Sequence, residues 1–178
     1  MSQALAAVAR LARRPAAREA TRDFEALYRS CRDDVYGYVA TMVRDAATAE
    51  DVVASAFERA YHRHGQFDSR RGTERAWVFG IARNAALDEL RRRKRHAALP
   101  LEPADESAAL VADPIRRATV RAALASLRPR DRELVALKFG AGLSNGELAT
   151  VLGTSESNAG TLVHRAMSKL REACHVPA

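Results

Sequence analysis

Cysteine is scarce in this chain. Cys31 and Cys174 are the only two, too few and too far apart for a disulfide framework or a four-ligand zinc site. Long apolar runs are missing as well. No stretch reaches the roughly 18 residues that a membrane-crossing helix needs, so no membrane insertion is expected. Residues 1–20 scatter arginine among alanines and have no apolar block. That makes a poor secretory signal, and a face built mostly of alanine makes a poor membrane-surface helix. A disordered tail is the expectation there, on a cytoplasmic protein. Period-two alternation is absent, which excludes half-buried strands. A glycine-rich phosphate loop, clustered metal-ligand carboxylates and a Ser/His/Asp arrangement are also missing. This weighs against a nuclease or any other enzyme and implies no cofactor or metal. His62 and His64 stand two apart and point in different directions on a helix.

Positive charge is abundant. Lys and Arg total 29 against 22 Asp and Glu, for a net +7 and a pI near 10.1. Such a balance favours a polyanionic partner, nucleic acid or an anionic membrane surface. Hydrophobic content of 47% supports real cores and excludes a disordered chain.

Helical periodicity organises the rest. Phe24, Leu27, Tyr28, Cys31, Val35, Tyr38, Val39 and Met42 fall at helical spacing over 24–44, with Cys31 on the apolar face. Val52, Val53, Ala56, Phe57, Ala60 and Tyr61 repeat the pattern over 48–64, and Thr48 with Asp51 reads as a capping-box start. The polar stretch Gly65 to Gly72 breaks the pattern, and a third helix is expected from about Thr73 to Arg95. Residues 97–113 then hold two prolines, four acids and no Lys or Arg, the composition of a flexible acidic linker.

Asp113-Pro114 reads as an N-cap followed by a first-turn proline. Four helices are expected at about 114–127, 130–139, 145–152 and 156–173. Gly140 and Gly142 end the second. Ser144 with Glu147 caps the third, Gly153 ends it, and Ser155 caps the fourth. The last two have helix-turn-helix proportions. Ala149 falls at their close crossing. Ala159, Leu162, Val163, Ala166 and Leu170 form the inner face of the last helix, with Ser157, Thr161, His164, Ser168 and Arg171 outside. The fold class is therefore all-α: two small helical domains, 21–96 and 114–178, joined by the 97–113 linker, the second containing a helix-turn-helix.

The densest signal is WVFGIARNAALDELRRRKR, from Trp77 to Arg95. Aromatic rings stack on unpaired bases, amide and guanidinium groups read base edges, and a run of cations neutralises phosphates. One helix carrying Trp77, Arg83, Asn84 and five consecutive cations reads as a surface for opened nucleic acid. A solvated amphipathic helix with a basic tail is the plainer alternative.

Three ordered blocks carry a family resemblance over about residues 22–174: AEDVVASAFERAYHR, FDSRRGTERAWVFGIARNAALDELRRRKR and LASLRPRDRELVALKFGAGLSNGELATVLGTS with its following helix. Together they resemble a bacterial RNA polymerase sigma factor of the extracytoplasmic-function (ECF) group. The resemblance implies core RNA polymerase as a partner, met at its β′ clamp coiled coil and β flap, with promoter DNA and an anti-sigma factor as further partners. It implies that Asp51, flanked by Glu50, Ala54, Ser55 and Glu58, meets the polymerase. It gives Arg71, Thr73, Trp77, Arg83 and Asn84 to the −10 element and Arg91, Arg92 and Arg95 to phosphate. In the second domain it gives Ser155, Ser157, Thr161, His164, Arg165, Ser168 and Lys169 to the −35 element. Trp77 has two readings, stacking at a melted junction or packing in the core. Two departures stand out. Ala54-Ser55 replaces the family's usual Gln-Glu, which argues for weaker polymerase binding. Gly160 and Leu162 stand where basic residues are frequent, which argues for weaker −35 readout. A helix-turn-helix regulator that never joins polymerase is the competing function, and it has no need of the 50–61 helix.

Overall fold

The computed structural model describes the backbone of residues 2–96 and 114–175, with side chains described from Asp23 to Arg95 and from Ala118 to Cys174. The expected linker, 97–113, and the Asp113 cap lie outside these described residues. Among the described residues there are seven α-helices and no strands: α1 (Ser2–Val43), α2 (Ala46–Arg63), α3 (Glu74–His96), α4 (Pro114–Ser126), α5 (Pro129–Val135), α6 (Asn145–Leu152) and α7 (Glu156–His175).

The apolar stripe expected for α1 is buried from Phe24 to Met42, with Cys31 at 1% exposure, although Tyr28 lies at the surface. It packs on the α2 stripe of Ala49, Val52, Val53, Ala56, Phe57 and Ala60. Tyr61 ends that stripe exposed, its ring edge-on to Phe24 at 5.2 Å. The α1–α2 corner turns on two residues. Arg44 takes a left-handed φ of 57°, and Asp45 caps α2 by accepting from the Thr48 N–H at 2.9 Å. The cap is therefore Asp45, three residues ahead of the expected Thr48 start. A two-residue corner lets the helix begin at Ala46, and Thr48 donates to the cap instead of forming it.

Helix α3 is central. Ala76, Val78, Phe79, Ala82, Ala85 and Ala86 are buried around much of its circumference. Its many alanines let neighbours approach from several sides: α1 and α2 from one direction, α6 from another. The expected break at Gly65 to Gly72 holds two short 3₁₀ turns, His64–Gln66 and Ser69–Arg71.

In the second half the capping signals hold. Ser144 and Glu147 form a reciprocal capping box, Gly153 ends α6 at φ 65°, and Ser155 Oγ accepts from the Asn158 N–H at 3.2 Å. Helix α5 does not stop at Val135 but widens into a π turn, Ala136–Gly140, closed by the Ala141 N–H on the Ala136 carbonyl at 2.8 Å. Gly142 then turns the chain with φ 66°, a conformation glycine reaches without a Cβ penalty.

The two halves pack together. Helix α6 lies on α3, while α5 and the π turn lie on α1, and the buried apolar residues of both form one continuous core. Polar bonds cross this junction. Arg83 Nε donates to Glu133 Oε1 at 2.7 Å, and Tyr38 Oη donates to the same oxygen at 3.3 Å. Thr73 Oγ1 donates to Glu147 Oε1 at 2.9 Å. Arg75 reaches Asp34 at 2.8 Å and also the carbonyl of Ala141. The sequence offered no sign of this packing, because each domain carries a complete apolar stripe of its own.

Candidate nucleic-acid interface

Helix α3 and the loop before it build the main site. Trp77 is half-buried, its ring 5.6 Å from Phe67 and 6.4 Å from His64. His64 Nε2 lies 2.9 Å from Glu74 Oε1 in the first turn of α3. This aromatic stack ties the 64–73 loop to the helix start. The free side of Trp77 opens into a groove of about 570 Å³ that Arg71, Gly72, Thr73, Gly80, Ile81 and Asn84 also line. Trp77 is thus both packed and presented, and neither of its two readings excludes the other. Asn84 is exposed about two turns after Trp77 along α3. A flat aromatic, an amide and a guanidinium around one open groove suit an unstacked base. The far wall, Ala149 to Thr154, comes from α6 and its cap.

The expected −10 residues do not all stand free. Arg71 and Asn84 are exposed, but Arg83 is committed to Glu133 and Thr73 to Glu147. Burial and then the Glu133 carboxylate push the Tyr38 phenol well above its ordinary range, so it stays a donor at neutral pH.

The cationic run divides in two. Arg91 and Arg92 are exposed and pair along the helix with Asp88 and Glu89. These pairs are short-range and contribute little to stability, so phosphate can replace the carboxylates. Hydrogen bonding from Arg92 holds the Glu89 carboxyl below its usual range. Lys94 and Arg95 are exposed and carry no ion pair among the described residues. Arg93, the middle cation of the run, turns inward instead, to Asp45 at 3.0 Å and to the Val43 carbonyl at 3.2 Å.

Helix α2 presents a second surface. Glu50, Asp51, Ala54 and Glu58 are exposed, and Ser55 is half-buried. Asp51 and Ser55 open on a shallow groove shared with Arg59, Asp88 and Arg95. Small residues at 54 and 55 leave this face flat.

The outer face of α7 is open. Ser155, Ser157, Thr161, His164 and Arg165 are exposed. Thr161 and Ser168 bond back to the carbonyls of Ser157 and His164. Lys169 pairs with Asp131 at 2.7 Å. The two departures from the basic pattern lie off this face. Leu162 packs on the core, and a Cβ on Gly160 would stand 3.3 Å from Asn145 Nδ2 at the crossing with α6. The surface that faces outward is therefore not depleted by either residue. Among the described residues no helix is long and apolar enough to cross a membrane, and no group of His, Cys, Asp and Glu is arranged to hold a metal.

Comparison with known proteins matches this layout. Residues 27–96 match the family described as Sigma-70 region 2, and residues 117–170 match the one described as Sigma-70, region 4. The ECF RNA polymerase sigma factor BldN of Streptomyces coelicolor is 33% identical over 156 residues, which is 83% of this chain and 58% of BldN. The RNA polymerase sigma factor CarQ of Myxococcus xanthus is 34% identical over 159 residues, covering 84% of this chain and 87% of CarQ. In fold the chain resembles the sigma factor RpoE of Bartonella quintana, solved with the anti-sigma factor NepR. The TM-score is 0.69 at 21% identity, over 88% of this chain and 99% of RpoE.

Proposed function

The chain belongs to the sigma-70 family of bacterial RNA polymerase sigma factors, in its ECF group, and from that premise we propose how its residues divide the work of starting transcription at chosen promoters. The exposed α2 face of Glu50, Asp51, Ala54, Ser55 and Glu58 docks on the β′ clamp coiled coil of core polymerase. The groove bounded by Trp77, Asn84 and Arg71 takes a −10 base once the strands part, with Arg91, Arg92 and Arg95 on the backbone. Helix α7 enters the major groove at −35 with Ser157, Thr161, His164 and Arg165 outward, while the second domain rests on the β flap.

The factor catalyses nothing itself. It acts in the cytoplasm, where polymerase supplies the chemistry and binding energy opens the strands. Joining two modest sites in one chain raises avidity through effective concentration. The family resemblance also implies an anti-sigma factor as an inhibitory partner.

The observation that carries this reading is the convergence of Trp77, Asn84 and Arg71 on one groove along the first half of the helix that ends in the cationic run. Run-off transcription with core polymerase on genomic fragments tests it, with start sites mapped. Transcripts that need the full chain and sharing one −10/−35 pair are the expected result. DNA binding without polymerase recruitment would favour a helix-turn-helix regulator instead.

A further inference from the structure

Trp77 does not hold its place at the groove unaided. The indole leans on two rings, Phe67 at 5.6 Å and His64 at 6.4 Å, and one residue sets both. His64 is the C-cap of α2, its N–H bonded to the Tyr61 carbonyl. Its own carbonyl accepts from the Phe67 N–H at 3.1 Å, which keeps Phe67 beside the indole. Its imidazole Nε2 donates to Glu74 Oε1 at 2.9 Å, in the first turn of α3 and three residues ahead of Trp77. The acceptor is a carboxylate, so Nε2 carries the hydrogen. The same ring meets Phe24 of α1 edge-on at 5.5 Å. One side chain at the end of α2 thus touches both α1 and α3.

The side chain of His64 is 16% exposed and that of Glu74 is 41% exposed. A bond between such groups adds modestly to stability, but its direction fixes where the neighbouring ring lies. Trp77 is half-buried, with one side open to the groove, so packing alone does not fix its angle. Neither His64 nor Glu74 lines the groove, so each acts on a captured base only through Trp77.

We propose that His64 and Glu74 are positioning residues for base capture: their bond, closed across the 64–73 loop, holds the Trp77 indole at the angle from which it stacks on an unpaired base. The proposal rests on the base-capture reading of this groove and names what sets it. A base leaving the duplex loses its stacked neighbours, and an aromatic surface already in place returns part of that energy. A ring that must first be ordered returns less, because its freedom is lost at the moment of capture. Phenylalanine at 64 would keep the ring contacts and lose the bond, which separates the two contributions.

Trp77 is the single tryptophan of the chain, so its fluorescence reports this ring alone. In the full chain, well below its melting temperature, His64→Phe and Glu74→Ala should each red-shift the emission and increase quenching by acrylamide. Glu74→Ala is the milder of the two for folding, since Thr73 Oγ still caps α3 by accepting from the Ala76 N–H at 3.1 Å.

With core polymerase, both variants should lower run-off yield from a mapped duplex promoter about ten-fold, the scale of one hydrogen bond to a charged group. A pre-melted bubble should restore part of it. Added to Trp77→Ala, either substitution should lower the duplex yield no further, because nothing is left to position. Parent-like emission and quenching in both variants, parent-like duplex yields, or losses that add in full to that of Trp77→Ala would each overturn the positioning role, and a parent chain that transcribes keeps the sigma reading intact. A parent chain that supports no run-off transcript ends the sigma reading, and the base-capture role falls with it.

Discussion

Arg93 on α3 clasps Asp45, the residue that caps α2: its guanidinium Nη2 stands 3.0 Å from Asp45 Oδ2 and also reaches the Thr48 hydroxyl. One side chain of the basic run thus closes the three-helix unit. The bond from Thr48, with Arg93 behind it, holds the Asp45 carboxyl below its usual range. Arg93→Ala should lower the melting temperature, by less than the loss of a fully buried pair because Asp45 is partly exposed. Arg95→Ala should leave stability unchanged and lower the log–log salt slope of DNA binding by about 0.7–0.9. Thermal melts and salt titrations on both variants separate the two roles, and equal melting points would remove Arg93 from the clasp.

Asp51 is free of capping duty, since Asp45 does that work. Asp51→Arg should therefore weaken binding to core polymerase about ten-fold or more while the melting temperature stays within about 2 °C. A pull-down with core enzyme beside a melt checks this. Retained affinity would take Asp51 out of the interface.

Trp77 packs on Phe67 and His64 while it lines the open groove. Trp77→Ala should lose both functions: about 2–4 kcal/mol of stability, less than the cost of a fully buried ring, and opening of duplex promoters. A pre-melted bubble template should restore part of the transcription, whereas Asn84→Ala, on an exposed side chain, should lower activity on both templates without a change in melting. Equal loss on duplex and bubble for Trp77→Ala would assign it to the core alone.

Helix positions and caps were legible because each rests on local chemistry. The Ser144–Glu147 box, the Gly153 stop and the apolar stripes of α1 and α2 are all written within a few residues. The Asp45 cap was missed because the Asp at 51 completed a capping-box spacing from Thr48, and only the tight Arg44 turn decides between them. Glu133 was missed for another reason. On α5 it reads as one charge among several in PRDRE, and its burial depends on Arg83 and Tyr38, 50 and 95 residues away. Gly160 and Leu162 looked like gaps in a DNA-reading face because helical phase alone does not say where α6 crosses α7.

Burial pushes the Cys31 thiol up to about 11. The protonated form is the one the core tolerates, so its contribution is complete below the unfolded value near 9 and is lost as pH rises through about 11. The chain should lose stability over that window, in the same direction as the Tyr38 phenol acts. Cys31→Ala should flatten the decline, at the cost of some packing at neutral pH. Melts at pH 7 and across pH 9 to 11 check this, and a parallel decline in both proteins would show that Cys31 does not contribute.

The outer face proposed to read the −35 element offers few cations. Its outward set is Ser157, Thr161, His164 and Arg165, with Lys169 drawn to Asp131. Each phosphate neutralised contributes about 0.9 to the log–log salt slope, so a shallow slope and weak binding are expected for a −35 duplex. Arg165→Ala should weaken it further and lower the slope by about one phosphate. Gly160→Arg should not strengthen it as an added cation on the reading face would. A Cβ there meets the side-chain amide of Asn145 at 3.3 Å, so part of the helix-propensity gain of about 1 kcal/mol is offset by displacing that amide. A salt titration of parent, Arg165→Ala and Gly160→Arg chains on one −35 duplex decides the matter. A steeper slope in Gly160→Arg would mean that position 160 faces DNA after all.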